Sequence, residues 1–250
     1  MTKLKLLIIT RNFPPLTGGM ERLMKHVAEG LATDYELTII GPAGCGRYCP
    51  TEATVLECPQ NAAGFLVLAA LKGFSACLRN RYSLLLGGSG LVAPVTALLG
   101  FVTGTRRALF VHGLDLVVAN RMFQYLFVPA IRLHEVIIAN SANTRILAIG
   151  KGCDSARVKI LHPGTEIPPE SELHIDERTV RSLGLADRKI CLFVGRMIRR
   201  KGLAEFLEMA WPEVHKQVSN ALLVVVGDSP ENALVRDRTG TRAIKEAVQA

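Results

Sequence analysis

Aromatic residues are scarce in this sequence, and no part of it has the composition of a disordered or nucleic-acid-binding protein. Phe, Trp and Tyr make up 6% of the 250 residues, and they are nowhere interleaved with basic residues. Hydrophobic residues make up 49% and charged residues 21%, a balance typical of a well-packed α/β protein. We therefore expect a folded protein with no nucleic-acid partner.

A second cysteine pair at metal-binding spacing is missing from the sequence. The chain has six cysteines, of which Cys45 and Cys49 are close in sequence while the others are scattered. No second pair follows at the spacing that structural zinc sites use. We expect reduced thiols, as in a cytoplasmic protein, and no metal site.

Long apolar runs are also missing from the sequence. The N-terminal MTKLKLLIIT has a basic start but no long apolar region or cleavage site, so we interpret it as a first strand rather than a leader. The most apolar region, 65–102, is interrupted by Lys72, Arg79 and Arg81 before about 20 apolar residues accumulate. The sequence therefore predicts no transmembrane helix.

The charge that is present favours anionic partners. Lys and Arg exceed Asp and Glu by a formal charge of +8, and the isoelectric point is near 9.4. The basic residues are spread along the chain, which indicates nucleoside diphosphates and acidic membrane faces rather than nucleic acid. We expect a cytoplasmic protein with peripheral contact at the inner face of the cell membrane.

Short apolar runs recur with helix-length segments between most of them. Runs that are apolar throughout are typical of parallel strands covered on both faces. The pattern predicts a doubly wound, Rossmann-like α/β domain. Its strands are expected at 4–10, 35–40, 82–87, 108–112, 136–140 and 158–162.

Two helices are defined by their own residues. In the first, Leu23, Val27 and Leu31 recur at spacing four and are expected to face the sheet. The second follows Asn140 and Ser141, either of which can cap it with a short polar side chain, and is expected to end at Gly150.

A linker is expected after the last of these strands. The segment PGTEIPPESELHIDE is rich in proline and acidic residues, and its apolar residues do not recur at a regular spacing. We place a first domain at 1–164, a linker at 165–176 and a second, partial domain at 177–250. In the second domain the strand and helix pattern resumes, with a buried strand at 190–194, a helix at about 202–210 and a strand at 222–226.

The turn RNFPPLTGGME connects the first strand to the first helix and contains Gly18 and Gly19. Glycine lets a backbone approach a ligand closely, and the helix start behind it offers free N–H groups to an anion. The alternative is a tight turn with only a structural role. The turn lacks GxGxxG, and GPAGCG follows Ile40 in place of an acidic ribose ligand, which excludes an NAD-dependent oxidoreductase.

A histidine, His112, closes the strand in ALFVHGLD, which places it at the carboxyl edge of the sheet. Ligands of open α/β sheets bind at that edge. The alternative is a hydrogen-bonded structural histidine, and the same holds for His162 in ILHPGTEIP.

The segment LFVGRMIRRKGL is the strongest local signal. A strand ends at Gly195, Arg196 lies in the turn, and Lys201 precedes the next helix. Two cations at a helix start can clamp a diphosphate, because arginine offers a planar fork and lysine a mobile charge. The alternative for this segment is a solvated basic turn with no ligand, which is our interpretation of Arg199 and Arg200.

In this order, FPPLTGGME, VHGLD, ANSANT, VKILHPGTEI, LFVGRMIRRKGL and LLVVVGD resemble the family-4 retaining glycosyltransferases of the GT-B fold. The resemblance covers nearly the whole chain. It implies two Rossmann-like domains, an acceptor side and a donor side, and metal-independent transfer from a UDP- or GDP-linked sugar to a glycan or lipid-linked acceptor. No cofactor is expected beyond that donor.

The resemblance also implies roles for individual residues. Arg196 and Lys201 would neutralise the diphosphate leaving group beside Gly195. His112 would contact the transferred sugar, and Gly18 and Gly19 would line the cleft near the phosphate or acceptor.

Family members carry a glutamate pair further along, and this chain ends at Ala250 before any such segment. We therefore expect an incomplete donor domain, an inactive isolated chain and oligomers formed through its open sheet. The main hypothesis is a transferase of cell-surface polysaccharide, lipopolysaccharide or glycolipid synthesis. The alternative is a non-catalytic remnant that binds a ligand or a partner chain.

Overall fold

A computed structural model describes residues 3–165, 167–170, 176–198 and 201–227. The chain divides into two compact units, Met1–Glu166 and Ile167–Ala250. Each unit has a parallel sheet of its own.

The larger sheet belongs to the first unit and has seven parallel strands in the order β3-β2-β1-β4-β5-β6-β7. The chain builds outward from β1 in one direction and then returns to its other side with β4. The point between β1 and β4 is therefore the topological switch point, where open α/β sheets bind ligands. The strands are β1 Leu4–Ile9, β2 Tyr35–Pro42, β3 Thr54–Cys58, β4 Leu84–Gly87, β5 Arg106–Val111, β6 Val136–Ala139 and β7 Val158–Ile160.

Helices cover both faces of this sheet, which confirms the doubly wound fold. One face packs on α1, Gly19–Ala32. The opposite face packs on α2 Ala62–Arg79, α3 Ala93–Thr103, α5 Val128–Ile131 and α6 Ala142–Gly150, and a short α4, Gly113–Val117, follows β5. Of the two candidate caps, Asn140 and Ser141, it is Ser141 that caps α6, with its hydroxyl accepting from the Thr144 N–H.

The orientation of α1 differs slightly from its prediction. Its buried residues are Glu21, Met24 and Ala28. The predicted stripe of Leu23, Val27 and Leu31 is only partly buried and packs beside them. A polar residue, Glu21, thus occupies the inward face of the first turn, and a search for apolar periodicity alone cannot identify it.

The strand β3 was not predicted, because it lies at the edge of the sheet. Only its last residue, Cys58, is fully buried, and Thr54 and Glu57 are exposed. A strand with a solvated face has none of the continuous apolar character by which the other strands were recognised.

The prediction that no segment reaches the length of a membrane span was too strict. The helix α2 has 18 residues and is apolar enough to cross a membrane on length and composition. In this structure it packs on the sheet through Phe65, Ala69, Gly73 and Ala76. Its one internal charge, Lys72, reaches the backbone oxygen of Glu57.

A buried histidine, His134, fastens α3 to the start of β6. Its Nδ1 donates to the carbonyl oxygens of Ala130 and Ile131, and its Nε2 lies 2.8 Å from Thr96 Oγ1. The side chain is fully buried. Burial lowers the pKa of His134 to about 4, so the imidazole is neutral in the folded protein.

We expect His134 to make the first unit sensitive to mild acid. The unfolded chain takes up a proton on this histidine below about pH 6.5 and the folded chain only near pH 4, so stability is complete above pH 6.5 and falls between those values. The loss should be about 3 kcal/mol. Thermal unfolding followed by circular dichroism at pH 7 and pH 4.5 should show a smaller acid shift for His134→Gln than for the wild type.

The matched control for this experiment is the exposed His162. His162→Gln should keep the full acid shift. The ion pair of Glu135 with Arg107 responds to a lower range of pH. Burial opposes ionisation of the Glu135 carboxyl, but hydrogen bonds from Arg107 lower its pKa to about 2. Its contribution is lost below about pH 4.5. An equal acid shift in His134→Gln and wild type would contradict the assignment.

Within residues 167–170, 176–198 and 201–227, the second unit has two parallel strands and three short helices. In the described residues, α8 covers one face of the strands, with Leu203 and Ala204 at the centre of a small core. On the opposite face Leu192 and Val194 are 60% and 69% exposed, so the strand predicted as buried is partly buried on one face and exposed on the other. The elements are α7 Glu177–Ser182, β8 Lys189–Val194, α8 Leu203–Met209, α9 Trp211–Gln217 and β9 Ala221–Val226.

Candidate functional site

A chain of hydrogen bonds at the carboxyl edge of the larger sheet joins the residues that follow β4, β5 and β6. His112 Nε2 lies 3.3 Å from the carbonyl oxygen of Gly88, and His112 Nδ1 lies 3.4 Å from Asn140 Nδ2. Asn140 Oδ1 accepts a 2.7 Å hydrogen bond from Thr144 Oγ1. That hydroxyl accepts one of 3.0 Å from Ser141 Oγ. We call these five residues the His112 network.

The partners of His112 orient its ring and favour one tautomer. A carbonyl oxygen can only accept, so the nitrogen beside Gly88 carries a proton. An amide nitrogen can only donate, so the nitrogen beside Asn140 does not. The imidazole is buried and can donate from Nε2, at the edge where the sequence placed it.

An aspartate, Asp115, ties the loop after β5 to the loop after β4. Its Oδ2 accepts from the backbone N–H of His112 at 3.0 Å and of Gly90 at 2.9 Å. A Cβ on Gly90 would lie 2.8 Å from the Asp115 Cβ, so glycine permits this contact. Burial raises the pKa of Asp115, while His112 and the two N–H donors oppose that shift.

The turn after β1 lies at the same edge and carries the predicted glycines. Gly18 has a φ of +156°, which favours glycine, and precedes α1. A Cβ on Gly19 would meet no atom within 4 Å, so space is open around that residue. The start of α1 is thus accessible to a ligand at Gly19.

Behind this turn, Asn12 and Glu21 form a buried polar pair. Asn12 Nδ2 donates to Glu21 Oε1 at 3.0 Å. The other carboxylate oxygen of Glu21 and the hydroxyl of Ser89 are buried without a hydrogen-bond partner in the described part of the chain. Buried polar atoms usually have partners, so unused hydrogen-bonding capacity is concentrated around the switch point.

The loops after β1 and β4 are in direct contact. A Cβ on Gly88 would lie 2.2 Å from Thr10 Oγ1 and 3.3 Å from the Cε of Met24. Glycine therefore lets the two loops meet, and Thr10 Oγ1 in turn accepts from the Asn12 N–H. This contact connects the Asn12–Glu21 pair to the His112 network.

In the second unit, the predicted diphosphate residues follow β8. The Gly195 N–H donates to the Val226 carbonyl oxygen at 2.9 Å, which fixes the turn against the end of β9. Arg196 and Lys201 are exposed, and neither side chain has an ion pair or hydrogen bond among the described residues. Their charges are available to an anion, and Arg199 and Arg200 lie outside the described residues.

A second glycine makes this turn possible. A Cβ on Gly227 would lie 1.8 Å from the backbone oxygen of Gly195, closer than any non-bonded contact. We expect Gly227→Ala to destabilise the second unit by roughly 3 kcal/mol or more, because backbone atoms must move. Denaturant unfolding can be followed by the fluorescence of Trp211, the single tryptophan.

Gly184→Ala is the matched control for Gly227→Ala. Gly184 also has a positive φ, +65°, but a Cβ there meets no atom within 4 Å. The Gly184→Ala variant should therefore lose only about 1 kcal/mol of unfolding free energy, from backbone strain alone. Equal unfolding midpoints for the two variants would contradict the steric argument.

The structure distributes the predicted residues over two strand edges. Gly18, Gly19 and His112 lie at the carboxyl edge of the first unit. Arg196 and Lys201, with Gly195, lie at the carboxyl end of the second. No group of three or more potential metal ligands occurs within the described ranges.

Four residues of the first edge were not predicted as site residues: Asn12, Glu21, Asp115 and Asn140. Asn140 ends the run VIIAN as His112 ends ALFVH, so a polar residue directly after a buried strand is the signal that identifies both. No comparable local signal marks Glu21, which looks like an ordinary acidic residue in the first turn of a helix.

Comparison with known proteins gives one curated relative over most of the chain. It is the GDP-mannose-dependent alpha-(1-6)-phosphatidylinositol monomannoside mannosyltransferase of Mycolicibacterium smegmatis, 27% identical over 251 residues. The match includes 90% of this chain and 61% of the relative, so the chain spans less than two thirds of the relative's length. No family model matches.

Solved structures match the fold along nearly the whole chain. Sucrose-phosphate synthase from Thermosynechococcus elongatus is 16% identical with a TM-score of 0.72, over 99% of this chain and 67% of that one. Anabaena HepE in complex with UDP-glucose is 13% identical with a TM-score of 0.71, over 98% and 66%. The parallel seven-stranded sheet matches these GT-B structures, as the sequence predicted.

Proposed function

We propose that this chain is part of a glycosyltransferase that moves a sugar from a nucleoside diphosphate donor to an acceptor. One observation carries the proposal: each unit presents its predicted site residues at the carboxyl ends of parallel strands, His112 in one and Arg196 with Lys201 in the other. The curated relative uses GDP-mannose and HepE was solved with UDP-glucose, which supports a nucleotide-sugar donor.

The proposed donor site uses the two exposed cations. As the bond between the sugar and the diphosphate breaks, negative charge grows on the leaving phosphate. Arg196 offers two parallel N–H donors and Lys201 one mobile charge, so together they can stabilise the leaving group without a metal ion. We propose family-4 chemistry with retention at the anomeric carbon, from a UDP- or GDP-linked sugar.

The proposed sugar site is at His112. Its hydrogen bond to Gly88 is long, 3.3 Å, and the Nε2–H can instead donate to a sugar hydroxyl. Asn140 and Thr144 hold the ring in the tautomer that this requires. The role is positioning of the sugar rather than proton transfer.

The proposed acceptor is a glycan or a lipid-linked sugar bound to the first unit, beside Gly18 and Gly19. The open space around Gly19 and the unused capacity of Glu21 and Ser89 support a hydroxyl-rich ligand there. We propose a cytoplasmic enzyme of cell-surface polysaccharide, lipopolysaccharide or glycolipid synthesis.

A binding test separates this function from a non-catalytic ligand-binding module. Isothermal calorimetry of the 250-residue chain with UDP, GDP and ADP should give weak binding of at least one nucleotide, and Arg196→Ala/Lys201→Ala should abolish it. Lys216→Ala, an exposed lysine on α9, is the control. Binding of a glycan without binding of any nucleotide would favour the module.

A further inference from the structure

The helical layer over one face of the larger sheet is apolar on its outer side as well as its inner side. Ten large apolar side chains there are between 46% and 82% exposed. An exposed patch of this kind marks an interaction surface in a folded protein. We call it the outer apolar face; it consists of Val67, Leu71, Phe74 and Leu78 of α2, Leu98, Phe101 and Val102 of α3, and Met122, Tyr125 and Leu126 of the segment before α5.

These residues form one continuous surface because their helices are neighbours. The helix α3 packs against α2 on one side and against α5 and the π-helical turn Phe123–Phe127 on the other. In α2, the residues that face the sheet are Phe65, Ala69, Gly73 and Ala76. The exposed apolar residues of α2 therefore point away from the protein core.

The same part of the chain is almost free of acidic residues. Between residues 58 and 134 the only carboxylate is Asp115, which is engaged with two backbone N–H groups at the carboxyl edge. Basic residues therefore outnumber acidic ones in this range, although Arg107 pairs with Glu135 just outside it. Seven basic residues fall in this range: Lys72, Arg79, Arg81, Arg106, Arg107, Arg121 and Arg132.

Exposed arginines border the apolar face along one margin. Helices that connect parallel strands run back to the amino edge of the sheet, so the C-terminal ends of α2, α3 and α5 lie together there. Each end carries an exposed apolar side chain beside arginine, and these arginines form no ion pair within the described ranges. They are Arg79 and Arg81 after Leu78, Arg106 after Val102, and Arg132 before Leu133.

We propose that the outer apolar face is a docking surface for an anionic lipid bilayer. The apolar side chains would enter the boundary between head groups and acyl chains, and the arginines would contact lipid phosphates. The helix α2 would lie in the membrane plane rather than cross it, because its inner face is part of the core. A second copy of the chain fits less well, since the same face of a partner would offer these arginines no carboxylate: the one acidic residue of this range, Asp115, is engaged at the carboxyl edge.

Sedimentation of the 250-residue chain with vesicles tests this proposal. The probes are phosphatidylcholine vesicles with and without about 30% phosphatidylserine. We expect binding to the anionic vesicles that weakens with salt. Arg79→Gln/Arg106→Gln should weaken it about 30-fold, at about fivefold per arginine, and Leu71→Asn/Phe101→Asn should weaken it at least about tenfold.

Arg22→Gln/Lys159→Gln is the matched control, because both residues are exposed and lie away from the face, on α1 and on β7. It should bind as the wild type does. Circular dichroism and unchanged melting temperatures establish that each variant folds. Three results would overturn the proposal: no binding of the wild type to anionic vesicles, equal weakening by the control, or a dimer in light scattering that Leu71→Asn/Phe101→Asn dissociates without any vesicle binding.

Discussion

Replacing Arg196 or Lys201 by alanine in the full-length protein is expected to lower kcat/KM for sugar transfer by roughly 100-fold or more. Each substitution removes charge stabilisation of the leaving diphosphate worth about 3 kcal/mol. Because that charge develops as the bond breaks, kcat should fall more than KM rises. Release of nucleoside diphosphate, followed over a range of donor concentrations, measures both constants.

Two further variants define the origin of this effect. Lys216→Ala removes one exposed positive charge on α9 and should leave kcat/KM unchanged. Lys201→Arg keeps the charge but changes its shape, and should recover part of the activity. Activity of both alanine variants within about threefold of the wild type would discard the diphosphate clamp.

His112→Ala is expected to reduce transfer by about 100-fold while binding of the free nucleoside diphosphate stays nearly the same. The imidazole lies in the first unit with its Nε2–H directed at Gly88, whereas the proposed phosphate contacts belong to the turn after β8. Loss of the ring removes a donor to the sugar and leaves the diphosphate site as it is. Calorimetry should therefore show nearly unchanged nucleotide binding, and a transfer assay should show the loss of sugar transfer.

Asn140→Ala serves as a positioning control for His112. It removes the amide that directs the imidazole but keeps the ring itself, so transfer should fall by about tenfold while nucleotide binding stays unchanged. A loss of nucleotide binding in His112→Ala as large as its loss of transfer would assign His112 to another part of the site or to the fold.

The fold could be predicted from sequence wherever burial is complete. Strands such as β1 and β5 are apolar over most of their length because helices cover both faces, and their positions were predicted to within two residues. The edge strand β3 and the exposed face of β8 have no such cover. Burial depends on what lies on the far side of a strand, and local sequence does not contain that information.

The position of His112 in the fold could be predicted from the sequence, but its hydrogen-bond partners could not. His112 follows a strand, so its place at the carboxyl edge follows from the chain direction. Its partners Gly88 and Asn140 are 24 and 28 residues away and meet it only because β4, β5 and β6 are adjacent in the sheet. The burial of the Glu21 side chain depends in the same way on how α1 packs against the sheet.

Every link of the His112 network has a direction, which restricts the amino acids that each position tolerates. Thr144 must accept from Ser141 and donate to Asn140, so serine can replace it, while valine of the same shape breaks both links. Asn140 must offer a donor to the ring. Aspartate in its place would present only acceptors to Nδ1, so it could not donate to the ring as the amide does. Substitution patterns at this edge of the sheet should therefore follow donor and acceptor roles more closely than size.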